Sequence, residues 1–123
     1  DTTVEELITA NGTGQLPDLL TQARDTGAQV MYVGYHRTGG LGSAFDRCSN
    51  ELTVIERRVR EYVAEHNGIH YVDMRTVFPP KDRDYYDWDN IHPSPKGSAA
   101  IAERLARVMQ DAGFRKWHPS DER

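Results

Sequence analysis

Asp89 and His92 stand three positions apart in the stretch DNIHPSPKG, residues 89–97. A histidine, with an ordinary pKa of about 6.5, can take a proton from a nucleophile and return it to a leaving group. It needs an orienting partner. A carboxylate accepting from Nδ1–H fixes the tautomer, leaves Nε2 free to face a serine hydroxyl, and stabilises the imidazolium as it forms. Three positions within one turn-like segment permit that bond. The same residues have a plainer reading, because Asp, Asn, Ser and Pro ahead of a helix are ordinary turn and capping chemistry.

Other residues compete for a role. His36 and Arg37 follow an apolar run and stand either as contacts for an acyl or sugar group or as solvated loop residues. Tyr85, Tyr86 and Trp88 directly precede the pair and either wall a pocket, stack on a carbohydrate ring, or form the loop's own small core. His36, Tyr86 and Trp88 are therefore the candidate substrate-binding residues. Ser43 lies in a glycine-rich loop without the strand-to-helix turn that exposes a nucleophile, and Ser49, Ser94 and Ser98 read as caps or first-turn residues. His66 suits a helix carboxyl end and His70 alternates along a strand. Asp82, Asp84 and Asp87 form a solvated acidic edge without the glutamate or spacing of a calcium loop. No His-Glu-x-x-His spacing occurs, so no metal is expected.

The elements that must position these residues follow from periodicity. Thr2 or Thr3 caps a short helix that carries Val4, Leu7 and Ile8 on one face and ends at Gly12. A second helix runs from about Pro17 to Gly27. The continuous apolar run Val30–Val33 predicts a strand covered on both faces. Residues 36–48, rich in glycine, read as a mobile loop at that strand's carboxyl end. Ser49 or Asn50 then caps a long helix with Leu52, Ile55, Val59, Tyr62 and Val63 on one face and a Glu56–Arg60 pair on the wet side. IHYVDM is a second strand, and Ser94–Pro95 begins a last helix with a buried stripe of Ile101, Leu105, Val108, Met109 and Ala112.

Strand, helix, strand, helix implies a right-handed crossover and a parallel sheet with helices packed on it. Ligands in such sheets bind beyond the carboxyl ends of the strands, which is where His36, Asp89 and His92 fall. Two strands give four amphipathic helices too little to pack on, since ordinary sheets hold about 4 to 6. The expectation is the carboxyl-terminal half of a larger α/β domain.

Composition narrows the partners. The 123 residues carry 15 basic and 19 acidic side chains, a net charge of −4 with both signs interspersed, so nucleic acid and anionic membranes are poor partners. No apolar run approaches the ~20 residues of a membrane span. Cys48, the one cysteine, excludes an intrachain disulfide and reads as a half-buried loop residue.

The block DNIHPSPKGSAAIAERLARVM resembles the last conserved block of the SGNH, or GDSL, hydrolases, in which Asp-x-x-His-Pro precedes the final helix and supplies acid and base of a serine triad. The upstream order is similar: a strand like AQVMYVGY, a variable loop, a long helix, then a strand like IHYVDM followed by a phenylalanine such as Phe78. The resemblance implies a three-layer α/β/α, flavodoxin-like domain, with residues 1–123 as one domain incomplete in this chain. It implies a serine esterase, lipase or carbohydrate O-acetyl esterase using Asp89 and His92, no cofactor, and a secreted or periplasmic setting. Its substrate would be a small acyl ester, a lipid or an acetylated carbohydrate. The family's Gly-Asp-Ser nucleophile segment, second-block glycine and Gly-x-Asn-Asp block have no match here, unless Asp1 is the last residue of the third. The serine and the oxyanion donors are then expected on a preceding amino-terminal segment, continuous or cleaved and still associated. An O-acyltransferase with the same triad, or a non-catalytic binding or interaction module, is the alternative.

Overall fold

The computed structural model describes residues 1–38 and 41–114. They form α1 (Thr2–Leu7), α2 (Gln15–Asp25), β1 (Val30–Val33), α3 (Ser49–Ala64), β2 (Ile69–Val72) and α4 (Pro95–Asp111). Four of the expected segments are helices and two are strands, and β1 pairs with β2 in parallel, from Val30 opposite Ile69 to Val33 opposite Val72. Gly39 and Gly40 of the expected loop lie outside the described residues.

One face of the sheet is covered. Val30, Tyr32, Ile69 and Tyr71 meet Ile8, Leu20 and Val59 from α1, α2, α3 and their ends, and the Tyr32 and Tyr71 rings stack at 5.7 Å. Burying each such aliphatic side chain contributes about 1.5–3 kcal/mol. An ion pair from Arg58 to Glu5 at 2.7 Å, with a second bond from Arg58 to the Ile8 carbonyl at 3.0 Å, ties α1 to α3.

The other face is covered on β2 and open on β1. Val72 is fully buried, Phe114 beyond α4 meets the His70 ring at 5.3 Å, and Arg104 of α4 donates to the Asp73 carbonyl at 3.1 Å. Val33, by contrast, is 44 % exposed. The apolar run of β1 is therefore not covered on both faces as its sequence predicts. For the same reason the stripe of α4 is only half-buried at Ile101, Leu105, Val108 and Ala112, and Met109 is exposed, because the two strands leave too little sheet beneath the helix.

Several local expectations change. Asp1, not Thr2 or Thr3, caps α1 by accepting from Thr3 N–H at 2.8 Å. That helix ends at Leu7, where the chain turns extended and drives Ile8 into the core, leaving Gly12 in a later turn. α2 begins two residues before Pro17, and α3 begins behind Cys48 with no side-chain cap, Ser49 and Asn50 already being helical. Cys48 is exposed rather than half-buried. The last helix starts as its sequence predicts: Ser94 Oγ accepts from Gly97 N–H at 3.2 Å and Pro95 takes the first helical position.

Glu56 departs furthest from its expected place. It is 1 % exposed and pairs with Arg37 at 2.8 Å, not with Arg60, whose guanidinium lies over the Tyr71 ring. The physical cause is the end of β1. The Tyr35 N–H has left the strand and needs an acceptor, which Glu56 supplies at 2.8 Å. Gly34 makes room for this, since a Cβ there would lie 2.7 Å from the Tyr71 hydroxyl and 3.2 Å from Glu56 Oε1.

Candidate functional site

Both strands end on the same side of the sheet, and the loops that follow them meet there. The second loop is closed at its base by an antiparallel bridge between Tyr86 and Pro93 and by Ser94 N–H donating to the Tyr85 carbonyl at 3.1 Å. Inside it, Asp87 N–H bonds the His92 carbonyl at 2.7 Å and Asn90 N–H bonds the Asp87 carbonyl at 3.0 Å. Asn90 sits at φ +59°, a left-handed conformation that costs most residues about 1–2 kcal/mol and that asparagine visits more readily.

That reversal folds the chain back onto Asp89. Asp89 Oδ1 accepts from the backbone N–H of Ile91 at 2.9 Å and of His92 at 3.0 Å, while Oδ2 accepts from His92 Nδ1. One carboxylate thus holds both the turn and the imidazole. The His92 bond and the backbone donors keep the Asp89 carboxyl well below the usual carboxylate range, at about 2. The same bond and the Asp89 charge raise the His92 pKa above its ordinary value. The carboxylate is tucked in, with 18 % of its side chain exposed, whereas the imidazole is 73 % exposed. With Nδ1 carrying the hydrogen, the neutral ring presents a lone pair at Nε2, which has no partner among the described residues. The arrangement is an imidazole turned toward solvent and oriented by a half-buried carboxylate.

The three candidate substrate contacts end in different places. His36 is 6 % exposed, its ring stacked on Tyr35 at 4.4 Å and its Nε2 2.7 Å from the Ile91 carbonyl, so it faces the second loop. Tyr86 is buried as well; its hydroxyl donates to the Arg37 carbonyl and its ring meets Phe78 edge-on at 5.1 Å. Both pack into the core between the loops, and His36 also lines a cavity shared with Tyr35 and Phe45. Trp88 is 94 % exposed at the tip of the same loop.

The first loop is organised more tightly than its glycines predict. Asp46 accepts from Thr38 Oγ1 and from Gly42 N–H, Ser43 is buried with Oγ accepting from Phe45 N–H, and a 3-10 turn spans Asp46–Cys48. Arg37, expected either on a substrate or in solvent, lies along Glu56. A cavity of about 280 Å³ opens beside His36 among Tyr35, Phe45, Leu52 and Ile55. Among the described residues no cluster of three or more His, Cys, Asp or Glu could hold a metal, and no helix is long and apolar enough to cross a membrane.

Sequence reasoning missed Asn90, Glu56 and Gly97. An Asn between Asp89 and His92 was a legible turn signal. Gly97 was not: a Cβ there would lie 2.2 Å from the Tyr85 carbonyl oxygen, so only glycine lets the first turn of α4 press against the base of the loop.

A chain with this α/β arrangement and this Asp-x-x-His turn matches one family model, that of the GDSL-like lipase/acylhydrolases, over residues 2–100. The chain belongs to that family, and membership points to ester hydrolysis as its class of chemistry. The small parallel sheet with its helices is consistent with an incomplete domain of that kind. No significant match is found among curated proteins or among solved structures.

Proposed function

We propose that Asp89 and His92 are the acid and base of a serine ester hydrolase and that residues 1–123 are the carboxyl-terminal half of a three-layer, flavodoxin-like domain. The observation that carries this reading is the pair itself: a tucked-in carboxylate on Nδ1 and an exposed, unpartnered Nε2. His92 takes the proton of a serine hydroxyl as it attacks the ester carbonyl and hands it to the departing alkoxide. Water then repeats the sequence to release the acid. Asp89 holds the tautomer and stabilises the imidazolium.

The serine and the oxyanion donors lie on an amino-terminal segment outside these residues. The described serines have other work: Ser43 is buried, Ser49 is inside α3, Ser94 caps α4, and Ser98 lies in its first turn. The edge of β1 left unpaired among the described residues offers such a segment a place to add a strand, and the open face of β1 a place to pack a helix. The cavity beside His36 favours an acyl group of several carbons, and Trp88 offers a face to the rest of the substrate.

Hydrolysis of nitrophenyl esters by the natural protein that contains these residues tests the reading. His92→Ala should lose at least ~10²-fold in kcat with an unchanged melting temperature. Wild-type turnover in that variant would refute it. Butyryl and octanoyl esters should outpace the acetyl ester, and the reverse order would remove the cavity from the account.

A further inference from the structure

His36 was a candidate substrate contact, yet its geometry points inward. The ring is 6 % exposed, stacked on Tyr35 at 4.4 Å and tilted against Phe78 at 5.1 Å and Tyr86 at 6.0 Å. This box fixes where the ring can point. Nε2 lies 2.7 Å from the Ile91 carbonyl oxygen, and since a carbonyl only accepts, Nε2 must carry the hydrogen and Nδ1 the lone pair.

The carbonyl of Ile91 and the amide of His92 belong to one peptide unit. His36 holds its oxygen, and Asp89 Oδ1 holds its N–H at 3.0 Å. A planar peptide clamped at both ends cannot rotate without breaking both bonds. That plane sets the direction in which the His92 side chain leaves the backbone and the angle at which Asp89 meets it. Two further bonds between the loops, from Tyr86 Oη to the Arg37 carbonyl and from Asn90 Nδ2 to the Leu41 carbonyl at 3.2 Å, keep His36 in register with its target.

We infer that His36 is a positioning residue, which orients the Asp89–His92 pair by clamping the Ile91–His92 peptide from the neighbouring loop. The inference rests on the acid–base reading above and goes beyond it. A histidine suits the task because its ring is rigid and donates while neutral. Burial lowers the His36 pKa against the upward pull of the Ile91 carbonyl, and the neighbouring His92 and Arg37 charges act in the same downward direction. His36 thus stays uncharged beside a base that must titrate.

The experiment is an NMR pH titration of the natural protein labelled at histidine, with kcat and KM measured alongside. His36→Phe keeps an aromatic ring without the donor, His36→Gln restores an amide donor, and Asp89→Asn serves as the control for the pair. In the wild type His36 should be the neutral Nε2–H tautomer, and His92 should titrate above about 6.5. Asp89→Asn should bring His92 down. His36→Phe should bring it part of the way, by about half a unit, and lower kcat about 10- to 100-fold with KM within twofold. His36→Gln should recover most of both. An Nδ1–H tautomer at His36 overturns the inference without any variant. So does a folded His36→Phe with wild-type titration and kcat, or a folded His36→Gln with wild-type-like melting that recovers neither. If Asp89→Asn leaves the His92 titration unmoved, the acid–base reading fails first and this inference falls with it.

Discussion

The two loops beyond the sheet each carry a histidine, and they use it in opposite ways. The loop after β1 buries His36 in an aromatic box with its Nε2 hydrogen given to a backbone carbonyl. The loop after β2 leaves His92 73 % exposed, with its Nδ1 on a carboxylate and its Nε2 free. In the proposed reading the same side chain is a brace in one loop and a base in the other. What separates them is the partner: a carbonyl fixes a neutral donor, whereas a carboxylate raises the pKa and turns the second nitrogen outward. The first loop exists in this account to hold the second.

That contrast can be broken in graded steps. The largest effect should come from the base loop. Asp89→Asn should lower kcat by roughly 10²–10⁴-fold, read by steady-state ester hydrolysis. Because the Asp89 bond raises the His92 pKa and the base acts when neutral, wild-type kcat/KM should climb with pH through a midpoint above about 6.5. In Asp89→Asn that midpoint should move to lower pH, and an unmoved midpoint would separate Asp89 from the base.

The brace loop should respond in stability. Glu56→Ala strands Arg37 and the Tyr35 N–H, and should cost about 3 kcal/mol in urea unfolding. Gly97→Ala should cost about 1–3 kcal/mol by forcing α4 away from Tyr85, with kcat falling alongside because the loop base moves. A Gly97→Ala protein of wild-type stability and rate would show that this close approach is unimportant. The smallest effect belongs to Trp88, which is 94 % exposed. Trp88→Ala should leave the melting temperature unchanged and raise KM by about two- to tenfold, the worth of one aromatic contact.

Helical spacing, the apolar runs and the Ser94–Pro95 start placed all four helices and both strands, because those signals are local. The Asp89–His92 bond was legible for the same reason: three positions in one turn leave few other geometries. What sequence could not show was decided between loops. Nothing in the spacing of Glu56 tells that a strand ends beside it and leaves an N–H to satisfy, so its partner was misread as Arg60 rather than Arg37. The partner of His36 was hidden on the same ground, since it is a backbone carbonyl 55 positions away. The open face of β1 was also beyond reach, because a continuous apolar run predicts cover on both sides whether or not the covering elements are in the chain.

The central claim is that these residues supply two members of a triad whose serine lies elsewhere in the protein. Labelling the natural protein with a fluorophosphonate and mapping the adduct by peptide mass tests it most directly. The account predicts one adduct, on a serine outside residues 1–123, that is lost in His92→Ala. An adduct on any serine within residues 1–123, or labelling indifferent to His92→Ala, would contradict it.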